Sequence, residues 1–324
     1  MSVVVDAMGG DKAPKEIVKG AIKASLEYGA NVILVGQEER INPLLKGKEG
    51  DGIEVVHAEA VIGMNEHPAK SLRRKPDSSI ARAAGIARDK KAALLSAGNT
   101  GAVMAATLLS WGRVPGIERP GIACVIPTQK RNVTVLDVGA NVDCKPSHIL
   151  QFAIMGSLYA NQVLKVDNPS VALLNIGEED KKGNEQTLAT YKVLEGCKII
   201  DFYGNIEPEG LYKGQADVVV TDGFAGNIFL KASEAVSNLF IDLLQKAFSR
   251  EQTDGKTIDG VFKSIFEYST RNPRFAGAPL LGVNGTCIIA HGGAEAETIA
   301  HCVDLANRFA ESGTLQSIRE NATQ

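Results

Sequence analysis

Short apolar runs rich in β-branched residues alternate with helical patterns along almost the whole chain, and this alternation constrains the fold more than any other feature. The helix predicted over 14–28 is typical, because Ile17, Ala21 and Ala24 share one face and Gly29 ends it. Strands that alternate with helices predict an α/β fold, a three-layer α/β/α arrangement with a mostly parallel sheet. The strand candidates are 3–6, 32–35, 53–57, 93–96, 122–126, 133–137, 171–175, 199–203, 218–221 and 287–291.

The alternation breaks between about 228 and 275, where two helical patterns follow each other without an intervening strand. In the second pattern, apolar side chains from Ile258 to Phe266 recur at helical spacing and form one face. That face is expected to contact a membrane surface, a partner subunit or the first pattern near Phe240, and the sequence leaves these alternatives open. Without a repeat or a hinge-like linker, we predict one α/β/α domain over 1–324, with a helical subregion at about 228–275.

Composition excludes several function classes. Lysine and arginine number 35 against 38 acidic residues, and a net charge of -3 gives no general attraction to nucleic acid. The amino terminus lacks the basic and apolar regions of a leader, and no run of 18 apolar residues occurs, so a cytoplasmic protein is expected. Five scattered cysteines and five histidines without HExxH spacing predict no metal site, and no cofactor is expected.

Four loops rich in glycine, asparagine and threonine follow strand candidates, at 6–11, 96–101, 137–141 and 221–227. Each leads into a helix, where free N–H groups and the positive end of the helix dipole favour an anion. Glycine lets an anion approach the backbone, and asparagine and threonine add neutral donors. We therefore predict that the loops converge on one phosphate or oxyanion pocket, the alternative for each being a tight turn. The substrate-binding candidates are Asp6, Gly9, Gly10, Asn99, Thr100, Asp137, Asn141, Asp222 and Gly223.

Two further segments carry candidate groups. The turn at 175–184 contains cations and carboxylates, so Lys181 or Lys182 is expected to reach a phosphate, with Glu178 or Glu179 orienting that lysine or binding a metal from solvent. The alternative is a solvated charged turn. A loop at 277–285, which includes the binding candidate Asn284, is expected before the strand that ends at His291. His291 is predicted to supply a proton or a hydrogen bond, or else to cap the next helix. The chain has no GxGxxG after its first strand, no GxxxxGK[ST] and no GxSxG, which disfavours an ordinary dinucleotide site, a P-loop and an α/β-hydrolase elbow.

Six segments of the chain resemble, in order and spacing, the phosphate acyltransferase family of bacterial phospholipid synthesis. They are DAMGGDKAP at 6–14, SAGNTGA at 96–102, LDVGAN at 136–141, LLNIGEEDKKGNE at 173–185, ADVVVTDGFAGN at 216–227 and GAPLLGVNG at 277–285. The resemblance implies an isocitrate/isopropylmalate dehydrogenase-like fold, a homodimer, and long-chain acyl-acyl carrier protein plus inorganic phosphate as substrates. It also implies Lys182 and Asn227 as catalytic residues, with the loop residues named above lining the site.

The reaction implied by this resemblance moves an acyl group from the carrier thioester to phosphate, giving acyl phosphate and free carrier protein for phosphatidic acid and phospholipid synthesis. Lys182 would hold phosphate, and Asn227, a loop amide or His291 would face the developing oxyanion. A downstream membrane glycerol-3-phosphate acyltransferase and a peripheral contact with the inner face of the membrane are also expected. The alternatives are a coenzyme A-dependent phosphotransacetylase, a decarboxylating dehydrogenase of the same fold, a non-catalytic scaffold and a covalent route through Cys144.

Overall fold

One eleven-stranded sheet organises the part of the chain that the computed structural model describes, residues 2–47, 52–250, 260–261 and 277–322, without the side chains of 249 and 250. The strands are β1 (Ser2–Asp6), β2 (Asn31–Gly36), β3 (Ile53–His57), β4 (Ala93–Ser96), β5 (Gly121–Pro127), β6 (Asn132–Leu136), β7 (Ser170–Leu174), β8 (Asp201–Ile206), β9 (Val218–Val220), β10 (Gly277–Leu281) and β11 (Cys287–Ala290). Their order in the sheet is β3-β2-β1-β4-β11-β10-β5-β6-β9-β7-β8.

Helices cover both faces of the sheet. They are α1 (Lys15–Tyr28), α2 (Glu38–Leu45), α3 (Pro68–Arg74), α4 (Ser79–Lys90), α5 (Thr100–Trp111), α6 (Pro146–Gln162), α7 (Glu185–Glu195), α8 (Pro208–Tyr212), α9 (Gly223–Arg250), α10 (Ala296–Glu311) and α11 (Thr314–Asn321). One buried core lies under α1, α6 and α10 and includes Phe152 and Tyr159. A second core lies on the other face, under α4 and α5, and includes Trp111. The mixed α/β fold predicted from the alternation is therefore confirmed.

The sheet has two parallel halves that run in opposite directions. Strands β1 to β4 and β11 are parallel to one another, and so are β6 to β9. Between the halves, β10 pairs antiparallel with both β11 and β5, and β5 pairs antiparallel with β6. Three reversals therefore separate the halves, so the carboxyl ends of β1, β4 and β11 point opposite to those of β6, β7 and β9.

The segment 277–285, predicted as a loop, begins with strand β10, so that prediction was wrong over Gly277–Leu281. Proline has no N–H group for a ladder and is uncommon inside a sheet. Here Pro279 pairs with Ile288 of β11, and only the next two residues, Leu280 and Leu281, pair with β5. The sheet therefore accommodates the proline where β10 has one paired neighbour.

The other strand predictions agree with the structure within two residues, except that the run predicted at 199–203 begins at Asp201 and extends to Ile206. Helix α9 confirms the first helical pattern of the interrupted region and leaves Phe240 61% exposed. Most of the second pattern, 258–266, lies outside the described residues. Within the described chain, no helix has the length and apolarity needed to cross a bilayer.

Candidate active site

The loop that follows β1 is built around the buried carboxylate of Asp6. Its Oδ2 accepts a hydrogen bond from Ser96 Oγ at 2.8 Å, and its Oδ1 accepts one from Met8 N at 3.2 Å. Ser96 Oγ in turn accepts from Gly98 N at 3.0 Å, which joins the loops after β1 and β4. Burial raises the pKa of Asp6, against hydrogen bonds from Ser79 and Ser96 that lower it. Asp6 was predicted to line the site, but its carboxylate lies beneath the loops and positions them.

Glycine is required at two positions of this loop, at one because neighbouring atoms leave no room for a side chain and at the other because of the backbone conformation. A methyl group on Gly9 would lie 2.6 Å from Asp6 Oδ2 and 2.8 Å from Gly98 N. Gly10 has a φ of +110°, which side chains rarely tolerate. The next residue, Asp11, donates its N–H to Gly292 O at 2.8 Å and brings in the turn after β11. We call these joined segments, 6–11, 96–101 and 291–293, the Asp6 cluster.

Asn99 caps helix α5 within the Asp6 cluster. Its Oδ1 accepts from Ala102 N at 3.1 Å, while its Nδ2 donates to Met64 O at 2.7 Å and to Glu66 O at 3.1 Å. The side chain is therefore fully engaged and has no donor left for a substrate. Thr100 is exposed and begins the helix, so its N–H group has no intrahelical acceptor and favours an anion.

His291 follows the last residue of β11, and its side chain is exposed. Nδ1 accepts a hydrogen bond from Gly293 N at 3.1 Å, and the backbone oxygen accepts from Ala294 N at 2.9 Å. A ring nitrogen that accepts cannot carry the proton, so the neutral imidazole has its N–H at Nε2, facing solvent. The histidine therefore stabilises the turn through one nitrogen and presents a donor through the other.

The loop after β6 is organised by the buried carboxylate of Asp137. Its Oδ1 accepts from the N–H groups of Ile122 at 3.0 Å, Gly139 at 3.1 Å and Ala140 at 3.0 Å. Its Oδ2 accepts from Asn141 N at 2.7 Å and Asn141 Nδ2 at 2.9 Å. Burial raises the pKa of Asp137, and these hydrogen bonds act against the rise. Five donors bind the two oxygens, so Asp137 positions the loop and does not face a ligand.

The loop after β9 is joined to the Asp137 loop by backbone contacts. Gly223 N donates to Asn141 O at 2.8 Å, and Ala225 N donates to Asp222 Oδ1 at 2.8 Å. A methyl group on Gly226 would overlap the carbonyl oxygen of Asp137. We expected the glycine-loop amides to hold phosphate, but in these two loops protein acceptors already bind most of the N–H groups.

Asn227, in the first turns of α9, lies directly over the Asp137 loop. A methyl group on Gly139 would be 3.4 Å from Asn227 Cγ, so the carboxamide covers that glycine. The side chain is half-buried, and none of the described residues forms a hydrogen bond with its amide. Asn227 is therefore a positioned donor and acceptor with unused hydrogen-bonding capacity.

The turn after β7 places Lys182 beside this region. Asn175 Nδ2 donates to Lys182 O at 3.0 Å, and Lys182 N donates to Glu179 O at 3.1 Å, so the backbone is held. The ammonium group is exposed and makes no ion pair with the described residues. Because β9 lies between β6 and β7, the three loops begin within about 10 Å of one another. We call the segments 137–145, 175–184 and 221–227 the Asp137 cluster.

Arg119 is a candidate that we did not predict from the sequence, because its segment, 116–121, precedes a strand candidate, whereas the predicted site loops follow one. It is exposed, has no ion-pair partner among the described residues, and precedes Pro120, whose oxygen accepts from Asn141 Nδ2 at 2.7 Å. Burial raises the pKa of the Cys144 thiol to about 11, against a smaller lowering by the Arg119 charge, and this disfavours a covalent route through Cys144.

The structure thus brings the predicted loops together in two groups, and no hydrogen bond among the described residues joins the Asp6 cluster to the Asp137 cluster. Strands β4 and β6 are four steps apart in the sheet, and neighbouring strands are rotated by about 20 to 25°. The carboxyl ends of β4 and β6, which would point in opposite directions in a flat sheet, therefore point at about a right angle to each other. Hydrogen bonds therefore join the loops within each cluster, and convergence of the two clusters on one pocket stays a prediction. Asn284 belongs to neither group, since its Oδ1 accepts from Arg319 Nη2 at 2.7 Å.

Comparisons with known proteins identify close relatives of the chain. The family described as "Fatty acid synthesis protein" matches residues 1–317. A phosphate acyltransferase from Pelotomaculum thermopropionicum is 45% identical over 330 residues, covering 99% of this chain and 95% of the relative. A phosphotransacetylase from Streptococcus pyogenes has a TM-score of 0.65 at 15% identity, covering 96% of this chain and 94% of that one. A 4-hydroxythreonine-4-phosphate dehydrogenase from Klebsiella pneumoniae has a TM-score of 0.54 at 16% identity, covering 96% and 99%, and these two structures show a shared fold.

Proposed function

The chain belongs to the phosphate acyltransferase family and is an acyltransferase, and from that premise we propose that it converts long-chain acyl-acyl carrier protein and inorganic phosphate to acyl phosphate and free carrier protein. The product would feed phosphatidic acid and phospholipid synthesis. We place the chemistry at the Asp137 cluster. The supporting observation is that Asn227 covers the loop at Gly139, Arg119 adjoins Pro120 beside Asn141, and Lys182 follows a neighbouring strand. These three residues use none of their side-chain donors within the described residues.

Lys182 and Arg119 suit phosphate because they are cations without carboxylate partners. A lysine binds phosphate as a point charge, and an arginine binds two of its oxygens at once. The buried carboxylate of Asp137 would repel a phosphate dianion, but the N–H groups that donate to it hold this carboxylate beneath the loop. Side chains therefore hold phosphate in this proposal, in place of the glycine-loop amides that we expected from the sequence.

The reaction needs alignment and charge stabilisation more than acid–base catalysis. A phosphate oxygen attacks the thioester carbonyl carbon and forms a C–O bond, while the carbonyl oxygen takes on negative charge that Asn227 Nδ2 stabilises. Collapse of this intermediate breaks the C–S bond, and the carrier thiolate leaves with the electron pair. Thiols have a pKa of about 8.5, so the thiolate leaves without concerted protonation and takes a proton from water afterwards. Positioning two reactants in this way accounts for about 7 to 11 kcal/mol of the barrier.

The Asp6 cluster would form the other wall of the site. Its exposed groups are the His291 Nε2–H and the N–H at Thr100, both suited to an anionic or carbonyl oxygen. We propose that the acyl thioester enters the cleft between the two clusters. We also propose that the chain forms a homodimer, in which a second copy fills the space that separates the clusters. We also propose one continuous domain of the isocitrate/isopropylmalate dehydrogenase type. A cytoplasmic location with peripheral membrane contact, close to a glycerol-3-phosphate acyltransferase, completes the proposal.

Neighbouring lysines give a matched test of the site. Lys182→Ala should lower acyl phosphate formation at least a hundredfold, and Lys181→Ala, which changes the same charge one residue away, should leave it within about twofold. Acyl phosphate is trapped as hydroxamate from palmitoyl-carrier protein and phosphate, with circular dichroism as the folding control. Equal activity of the two variants would remove Lys182 from the site. Turnover of acetyl-coenzyme A above that of the palmitoyl thioester would instead favour a short-chain phosphotransacetylase.

A further inference from the structure

A cavity outside both clusters shares no residue with either of them. It has a volume of about 580 Å³ and lies between the end of α6 and the middle of α10, with β5 at its floor. Cavities that bind small organic molecules in proteins measure about 300 to 1,000 Å³. The volume is therefore sufficient for an organic ligand, and the lining groups indicate its chemistry.

The hydroxyl of Tyr159 is a polar group of this cavity that lacks a hydrogen-bond partner. Tyr159 is 0% exposed, and its Oη forms no hydrogen bond with the protein. Its ring is fixed edge-on against Phe309, with centroids 5.6 Å apart, so the hydroxyl is held in place. An unsatisfied buried hydroxyl costs about 1 to 3 kcal/mol, a penalty that phenylalanine would avoid. The hydroxyl is therefore a buried donor in the wall of the cavity that the protein leaves without an acceptor.

The charges around the cavity favour an anion. Arg308 Nε binds Asp304 Oδ2 at 2.9 Å, which leaves the other guanidinium donors for a ligand. Tyr159 and Arg308 both line the cavity, and burial raises the pKa of the phenol while the Arg308 charge opposes that rise. Lys165 adds a second cation without an ion-pair partner among the described residues. His301 is already engaged, since its Nδ1 is 2.9 Å from Tyr28 Oη.

The rest of the lining is apolar. Val125, Val163 and Leu305 are 5%, 6% and 7% exposed and face the cavity from β5, α6 and α10. Hydrocarbon placed against such side chains leaves water at a gain of about 25 cal/mol per Å². The lining thus combines a polar end, at Tyr159 and Arg308, with an aliphatic wall.

We propose that this cavity binds an organic anion with an aliphatic tail, whose acidic group lies between Tyr159 Oη and the Arg308 guanidinium and whose tail contacts Val125, Val163 and Leu305. The acidic group is a carboxylate or a phosphate monoester, which present the same acceptor chemistry. The site is separate from the one proposed for acyl transfer and does not depend on that function.

Titration calorimetry on the full chain tests the proposal with decanoate, decyl phosphate and, as a neutral control, decanol. Saturable binding of either anion, with decanol at least tenfold weaker, is expected, and the stronger anion identifies the acidic group. Tyr159→Phe removes one hydroxyl and keeps the packed ring, so it should weaken anion binding about tenfold or more. Arg308→Gln should do the same.

Asn227→Ala separates this site from the acyl-transfer site. It should keep anion binding unchanged while losing acyl phosphate formation, and Tyr159→Phe should keep acyl phosphate formation. Unchanged anion affinity in Tyr159→Phe, or equal binding of decanol and decanoate, would overturn the proposal. Loss of anion binding in Asn227→Ala alone would place the ligand at the Asp137 cluster and overturn it as well.

Discussion

Replacing Asp137 with asparagine changes one atom of the side chain and tests how the active-site loop is held. An amide has a single acceptor oxygen, whereas the carboxylate accepts from three N–H groups at Oδ1 and from two at Oδ2. With the amide oxygen at the position of Oδ1, the NH₂ group takes the position of Oδ2 and faces Asn141 N and Asn141 Nδ2. Two hydrogen bonds are then lost, and the NH₂ donor lies against two other N–H donors. The flipped amide loses three.

Hydrogen bonds to a charged acceptor each stabilise the fold by about 1.5 to 3 kcal/mol, so losing two amounts to about 3 to 6 kcal/mol. Part of this is offset, because burial raises the pKa of Asp137 and removing the charge relieves that unfavourable burial. We expect a net loss of about 2 to 4 kcal/mol in the free energy of unfolding, a large share of the 5 to 15 kcal/mol typical of a folded protein.

Urea denaturation followed by circular dichroism measures this free energy, and hydroxamate trapping measures activity in the same samples. Because Asn227 covers Gly139 of this loop, activity should fall at least tenfold even in the folded population. Asp143→Asn, an exposed neighbour, is the control and should change neither quantity. If Asp137→Asn unfolded within about 0.5 kcal/mol of the parent and kept full activity, the carboxylate would not organise the loop.

Gly226→Ala should abolish activity and destabilise the fold by about 1 to 3 kcal/mol, because the new methyl group would overlap the carbonyl oxygen of Asp137. Gly85→Ala, in an open part of α4, should instead stabilise the fold by about 0.4 to 1 kcal/mol. Urea midpoints that shifted in the same direction in both variants would contradict the overlap at Gly226. The pKa of Glu66 is lowered from 4.5 to about 2, chiefly by Lys75, so the stability from this pair is present above pH 4.5 and lost as pH falls toward 2. NMR titration should show Glu66 ionising near pH 2 and returning toward 4.5 in Lys75→Met, and an unchanged titration would refute the pairing. With its pKa raised to about 11, the Cys144 thiol should react with iodoacetamide about a hundredfold more slowly at pH 7.5 than an ordinary cysteine, and Cys144→Ala should stay active; loss of activity would revive the covalent route.

Much of the fold followed from local pattern. Strand and helix periods depend on residues close in sequence, so Ile53–His57, Ala93–Ser96 and Thr100–Trp111 were predictable from apolar spacing and flanking glycines. Strand β10 was not, because its proline and the glycines at 277 and 282 that bound it resemble a loop. It becomes a strand only because β11 and β5 offer ladder partners on its two sides.

The positions of the site loops were likewise predictable, but their use of hydrogen bonds was not. The glycine-rich motifs after β1, β4, β6 and β9 do lie where strands end and helices begin. The sequence could not show that Asp137 accepts hydrogen bonds from the N–H groups of its own loop. Nor could it show that the Asn99 amide donates to Met64 O and Glu66 O. Met64 and Glu66 lie in another segment, and the Asp137 bonds form only when the loop folds around that carboxylate, so the tertiary structure decides which donors remain for a substrate.

The sequence by itself determined the α/β class, the order of the elements and the chemical character of the loops, because each of these depends on side chains near one another along the chain. The tertiary structure alone decided that the loops form two clusters and that Arg119 joins Asn227 and Lys182 as an unused donor. The physical reason is that strand direction, set by three antiparallel pairings at the centre of the sheet, is a long-range property that no local periodicity encodes.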